Sequence, residues 1–138
     1  MRKFTLITLA LAATLAFGGF VATAATKKTY GTGLSIKYSS GSAIDPSDPF
    51  AGAAFKGKVR SDKRQCKKKR AVVITERSSG KIGKTKSEKD GSYAIAAPGS
   101  GPGKYYAKAK KKTIKKKNKM IVCKAGKSPT ITVPPLDT

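Results

Sequence analysis

An excess of positive charge constrains this chain more than any other feature. Thirty Lys and Arg residues face seven Asp and Glu, for a formal charge of +23, and there is no histidine. A compact state with that charge repels itself and attracts polyanions, so the fold needs a fastening beyond apolar burial. The 38% of residues that are hydrophobic do not all serve a core, because many sit in the first 24 positions.

Those positions read as an export leader. Arg2 and Lys3 form a basic start, Leu6 to Val21 is an uncharged apolar run, and Ala22-Thr23-Ala24 is a small-x-small cleavage pattern. A retained membrane anchor is the alternative, but the run is short against the roughly 20 residues of a full span. With no cysteine at the cleavage point to take a lipid and no hydrophobic tail at the other end, the expected product is secreted and extracellular, without stable membrane insertion. Cleavage after Ala24 removes Arg2 and Lys3, so 28 cations face 7 acids and the mature charge is +21. The expected organisation is a leader over 1–24, an N-terminal strand and loop over 25–52, a β-sandwich over 53–134 and a tail over 135–138.

Cys66 and Cys123 are the two cysteines, and an even count in an oxidising compartment points to one disulfide. Closing so long a loop stabilises by about 4 kcal/mol in the chain-entropy model, a large share for a small domain. The other use of two thiols, as metal ligands, lacks the histidines that usually help.

Alternation supplies the strands. Tyr30, Thr32, Leu34, Ile36 and Tyr38 form a first one within Thr29 to Tyr38, weakened by two glycines. Phe55, Gly57 and Val59 against Lys56, Lys58 and Arg60 give the cleanest signal of one core face and one solvent face. Ala71 to Thr75 reads as a central strand and Ile82 to Ser87 as a weak one. Asp90-Gly91 turns the chain into a strand through Tyr93 and Ile95, and Pro98 to Gly103 separates it from Tyr105, Ala107 and Ala109, which alternate with Tyr106, Lys108 and Lys110. Thr130 to Val133 is the last strand. Ser39 to Pro49 is a loop by composition, in which Asp45 and Asp48 are read as turn-capping side chains in preference to calcium ligands. Lys110 to Lys119 holds seven lysines in ten positions and is expected to be an extended, mobile loop. The pattern as a whole is all-β, a seven-stranded antiparallel sandwich stapled by one disulfide.

Phe55-x-Gly57-x-Val59, Cys66, Val72-Val73-Ile74, Asp90-Gly91-Ser92-Tyr93, Gly103-Lys104-Tyr105-Tyr106-Ala107, and Cys123 with Ser128-x-x-Ile131-x-Val133 together resemble the carboxypeptidase regulatory-like and collagen-adhesin B-type modules, especially small secreted actinobacterial proteins of that kind. The resemblance implies a transthyretin-like Greek-key sandwich and a structural or binding role without catalysis. Some adhesin modules of this type form a Lys–Asn or Lys–Asp isopeptide bond. Asn118 is the one asparagine here and lies among the lysines, so that crosslink is not carried over.

The chemistry of the chain agrees with a non-enzymatic role. Without histidine the usual base for a Ser or Cys nucleophile is missing, and Glu88 and Asp90 flank a tight turn amid Lys86 and Lys89, which is not the setting of a paired acid and base. No P-loop or dinucleotide fingerprint occurs, and no cofactor or metal is expected. If each strand crosses the sandwich, the loops holding Lys67, Lys68, Lys69 and Arg70, then Glu88 to Gly91, then Lys110 to Lys127 fall at one end, where the disulfide also ties the first to the third. Lys110, Lys111, Lys112, Lys115, Lys116, Lys117 and Lys119 would join the first group there as a polyanion-binding end. Lysines present point charges without the arginine fork, and Tyr105 and Tyr106 are committed to a strand, so diffuse, salt-sensitive contact with cell-wall polymers, acidic glycans or DNA is expected, not sequence-specific nucleic-acid recognition. The alternative is a structural or adhesive module that contacts a partner protein, its lysines serving only solubility.

Overall fold

A computed structural model describes residues 23–39, 54–96 and 101–135. The leader up to residue 22, the Asp45 and Asp48 loop, the first half of the Pro98 to Gly103 connection and the last three residues lie outside the described residues.

The described residues form short strands with one helical turn. In order they are β1 (Thr26–Tyr30), β2 (Gly33–Leu34), β3 (Lys37–Ser39), β4 (Ala54–Arg60), α1 (Arg64–Lys67), β5 (Ala71–Glu76), β6 (Gly80–Lys86), β7 (Ser92–Ala96), β8 (Gly103–Ala109), β9 (Lys112–Lys116), β10 (Lys119–Cys123), β11 (Gly126–Lys127) and β12 (Ile131–Val133). Every strand expected after residue 53 is present. The expected first strand is instead three pieces, interrupted at Gly31-Thr32 and at Ser35-Ile36, although the Ser35 amide still donates to the Lys58 carbonyl at 3.0 Å.

Two sheets face each other across one core. One has the order β6-β5-β8, with β11 and β12 successively pairing the far edge of β8; in the other, β4 pairs β7 on one side and β2 and β3 on the other. All these pairings are antiparallel. Phe55 and Val59 from β4 and Tyr93 from β7 pack with Val72 and Ile74 from β5 and Tyr105, Ala107 and Ala109 from β8. The Phe55 and Tyr105 rings meet at 4.7 Å between centroids, tilted by 41°. Leu34 and Ile36 are buried in the same core, so the N-terminal stretch is part of this body.

Two close approaches explain residues that the alternation pattern leaves open. The Tyr93 hydroxyl donates to the Ser35 carbonyl at 2.5 Å, and both lie over Gly57, where a Cβ would stand 2.1 Å from the Ser35 oxygen and 2.5 Å from the phenol. Only glycine fits there. Ser128 takes the place of a ladder carbonyl: its hydroxyl accepts from the Ala107 amide at 2.8 Å while its own amide donates to the Ala107 carbonyl at 2.9 Å. That keeps β8 paired between β11 and β12.

The third sheet, β1-β10-β9, corrects two expectations. Lys112 to Cys123 is a β-hairpin and not an extended loop. Successive side chains on a strand diverge to opposite faces, and exposed charges are screened within about 8–10 Å, so lysine repulsion does not forbid the ladder. Ile114 pairs with Ile121 and supplies the apolar anchor. The second correction concerns direction: β1 runs parallel to β10, with Lys28 opposite Ile121 and Tyr30 opposite Cys123, so the chain is not antiparallel throughout.

Candidate functional site

The end of the body beneath this third sheet is where the expected basic segments meet. After β4 the chain makes the single turn α1, with the Cys66 amide donating to the Lys63 carbonyl at 2.8 Å, and that turn aims Cys66 inward. Cys66 and Cys123 are disulfide-bonded with 5.4 Å between Cα atoms. Both are fully buried and pack with Ile121, flanked by Tyr30 and Ile114. This second cluster is much smaller than the core between the two large sheets.

Arg70, expected among the ligand-facing cations, is 0% exposed. Its guanidinium donates to the carbonyls of Cys66 at 3.0 Å, Lys110 at 2.7 Å and Lys124 at 2.8 Å, and to the Thr32 hydroxyl at 3.2 Å. One side chain therefore ties α1, the β1–β2 link and the connections on either side of the hairpin. No carboxylate is among these partners, the Nε is buried without one, and burial pulls the pKa below the ordinary arginine value. The fork suits this work because it directs several donors at once, which a lysine could not match. Sequence reading missed this role because a cation inside the run Lys67 to Arg70 looks like its solvated neighbours.

Ser87 is the second tie. Its hydroxyl accepts from the Arg70 amide at 2.8 Å and donates to the Lys67 carbonyl, while its carbonyl accepts from the Lys69 amide at 2.9 Å. Lys69 adopts a φ of 51°, the left-handed region that costs a non-glycine residue about 1 kcal/mol or more, held here by those bonds.

The remaining expected cations divide by strand geometry. Lys67 and Lys68 are half-buried and Lys69 is exposed. Lys112 is half-buried and its ammonium donates to the Lys68 carbonyl at 2.9 Å, so the first and third basic segments touch. Burial first, and then the charges of Arg70, Lys68 and Lys69, hold the Lys112 pKa below its ordinary value. A groove of about 260 Å³ opens here, lined by Gln65, Lys68, Lys69, Lys112 and Ile114. Lys110, Lys111, Lys115, Lys116, Lys117 and Lys119 are exposed. Lys116 stands directly across from Lys119, a like-charge pair that weakens a bare ladder, whereas Lys115 projects from the opposite face to Lys112 and Lys116.

A second concavity of about 260 Å³ on the same sheet is lined by Lys28, Lys63 and Lys119 around Tyr30, Met120 and Ile121. The Lys63 ammonium lies 5.9 Å from the Tyr30 ring centroid. Lys28 and Lys63 were not legible as partners of Lys119, since a parallel pairing between segments far apart in sequence brings Lys28 there and the entry to α1 brings Lys63.

These cations have few counter-charges. Among the described residues the one ion pair is Lys58 with Asp90 at 3.8 Å, both exposed. Asp90 is engaged by the Ser92 hydroxyl at 2.6 Å and amide at 3.0 Å, which hold its carboxyl below the usual range. Ammonium groups gathered on a disulfide-tied frame give this end a positive field, which attracts anions. Among the described residues no three His, Cys, Asp or Glu side chains gather as a metal-binding group. No protein family, curated protein or solved structure that was compared matches the chain.

Proposed function

We propose that this chain is an exported, non-enzymatic binding module, a β-sandwich with seven main strands in Greek-key order like the carboxypeptidase regulatory-like modules, and that its disulfide-tied end holds extracellular polyanions. The observation that carries this reading is the Lys112 ammonium. It is fixed against the Lys68 carbonyl, partly desolvated and beside other cations, and among the described residues no carboxylate pairs with it. A sulfate, phosphate or carboxylate group entering the Gln65, Lys68, Lys69 and Lys112 groove would relieve that repulsion. The lysines of the hairpin then extend the contact along a polymer, and the interaction is salt-sensitive because point charges on flexible stems dominate it.

Elution from heparin resin tests the proposal. Lys115→Gln, Lys116→Gln and Lys117→Gln together should elute at clearly lower salt than the wild type, and Lys112→Gln should lower it further. Equal elution of all three proteins would sink the role of this end. A partner that stays bound in high salt, insensitive to these changes, would favour an adhesive module instead.

A further inference from the structure

The hairpin end is not the only place where the fold gathers lysines. Among the described residues, no element packs over the outward face of the β6-β5-β8-β11 sheet. On this face paired residues point to the same side. Lys84 is opposite Val73, Val73 is opposite Lys108, and Lys108 is opposite Lys127, so one transverse row reads Lys, Val, Lys, Lys. The row beside it pairs Lys86 with Ala71, and the row on the other side joins Lys81 to Thr75 and Thr75 to Tyr106. Lys81, Lys84, Lys86, Lys108 and Lys127 are all exposed, whereas Ala71, Val73, Thr75 and Tyr106 are half-buried. None of these paired positions holds an Asp or Glu.

The result is a trough. β6 and β8 carry lysine ridges about 10 Å apart, two strand spacings, and β5 between them gives a floor of short side chains repeating about every 7 Å. At one edge the Lys127 and Lys108 ammonium groups lie 4.2 and 5.2 Å from the same Tyr106 ring centroid. Two cations directly opposite on neighbouring strands repel, and the shared ring offsets part of that. Beside them a shallow concavity of about 420 Å³ is lined by Lys108, Lys110, Lys127, Ala109, Ala125 and Gly126.

We propose that this face is a second binding surface, independent of the hairpin end, and that its occupant is an acidic polysaccharide laid along β5 with its carboxylates between the two lysine ridges. Three features select that class. The open, linear trough suits an extended chain more than a compact ligand. The half-exposed Val73 and Thr75 floor offers apolar contact to the C–H faces of sugar rings, which a bare phosphate chain would leave unused. The Tyr106 ring already carries two ammonium groups, so it is not free to stack a nucleobase.

The test titrates polygalacturonate oligomers of about ten sugars, a length chosen to exceed a strand of about 20 Å, into the wild-type protein and three charge-matched variants. The face variant is Lys84→Gln with Lys108→Gln and Lys127→Gln. The control is Lys37→Gln with Lys56→Gln and Lys89→Gln, elsewhere on the surface. The third is the hairpin triple, Lys115→Gln, Lys116→Gln and Lys117→Gln. The face variant should weaken binding about tenfold or more beyond the control and make the dependence of log affinity on log salt shallower by about two. The Val73 and Thr75 methyl resonances should shift on titration. Equal losses in the face and control variants, or unmoved methyls, overturn the proposal. A loss confined to the hairpin triple overturns it while leaving the hairpin reading intact. Equal affinity for polyphosphate or oligothymidylate of the same charge, lost equally in the face variant, would overturn the polysaccharide assignment.

Discussion

The two ends of the protein are held together by different physics. Between the large sheets, Phe55, Val59, Val72, Ile74 and Tyr105 are buried and in contact across the layer, so stability there comes from apolar area and close packing. Beneath the hairpin, the apolar cluster is Cys66, Cys123 and Ile121 with two half-buried neighbours, and a disulfide and one arginine do the fastening. The comparison teaches that a chain rich in lysine can still build a defined surface where it cannot build a core, provided that covalent and hydrogen-bonded ties replace apolar burial.

The largest effects should separate these regimes. Phe55→Ala removes a fully buried ring that contacts Tyr38 and Tyr105 and should destabilise the whole protein by about 3–5 kcal/mol in urea titrations. Replacing Cys66 and Cys123 with alanine should cost about 2–5 kcal/mol. In hydrogen exchange that variant should lose protection in β9 and β10 while β4, β5 and β8 stay protected, and uniform loss would show that the two regions are one cooperative unit. Arg70→Met leaves the Cys66, Lys110 and Lys124 carbonyls without their donor and should cost about 3 kcal/mol, with Arg70→Lys recovering only part of it.

Alkaline pH gives a subtler contrast, because the two regions respond with opposite sign. Burial pushes the Tyr93 pKa from 10.0 up to about 12, and burial shifts Tyr105 the same way. The folded state then holds protons that the unfolded chain releases, so stability is intact below about pH 10 and falls towards pH 12, by about 2–3 kcal/mol for Tyr93. Lys112 is depressed. Its charged form is penalised in the fold, and stability rises as pH climbs into the lysine range. Tyr93→Phe should flatten the fall, and Lys112→Gln should remove the small rise that precedes it. Smallest of all, the hairpin triple Lys115→Gln, Lys116→Gln, Lys117→Gln should change stability by about 0.5 kcal/mol or less, since these side chains are exposed.

The sequence carried the large sheets well. The alternation through Phe55, Gly57 and Val59, and through Tyr105, Ala107 and Ala109, is a direct imprint of one buried and one solvated face. The disulfide followed from a cysteine count. What composition obscured was the basic end. In the Lys110 to Lys119 run, charge density drowned the Thr113-Ile114 signal that pairs with Ile121 and Val122, and Arg70 was indistinguishable from the lysines before it. The role of Gly57 was also hidden, because the atoms that crowd it come from Ser35 and Tyr93 on other strands. The parallel β1–β10 pairing joins Thr26 to Lys119, a separation over which local pattern carries no information.

That pairing settles a practical matter of geography. The Thr26 amide donates to the Asn118 carbonyl at 3.2 Å, so the chain enters the fold beside the turn of the lysine hairpin. Whatever is joined ahead of Thr26 emerges next to that turn. An affinity tag or reporter placed there would shadow the lysines that heparin experiments interrogate, and an acidic one would neutralise them; Val133, the end of the last strand, pairs with Gly103 at the start of β8, and a label attached after it would leave the fold from there.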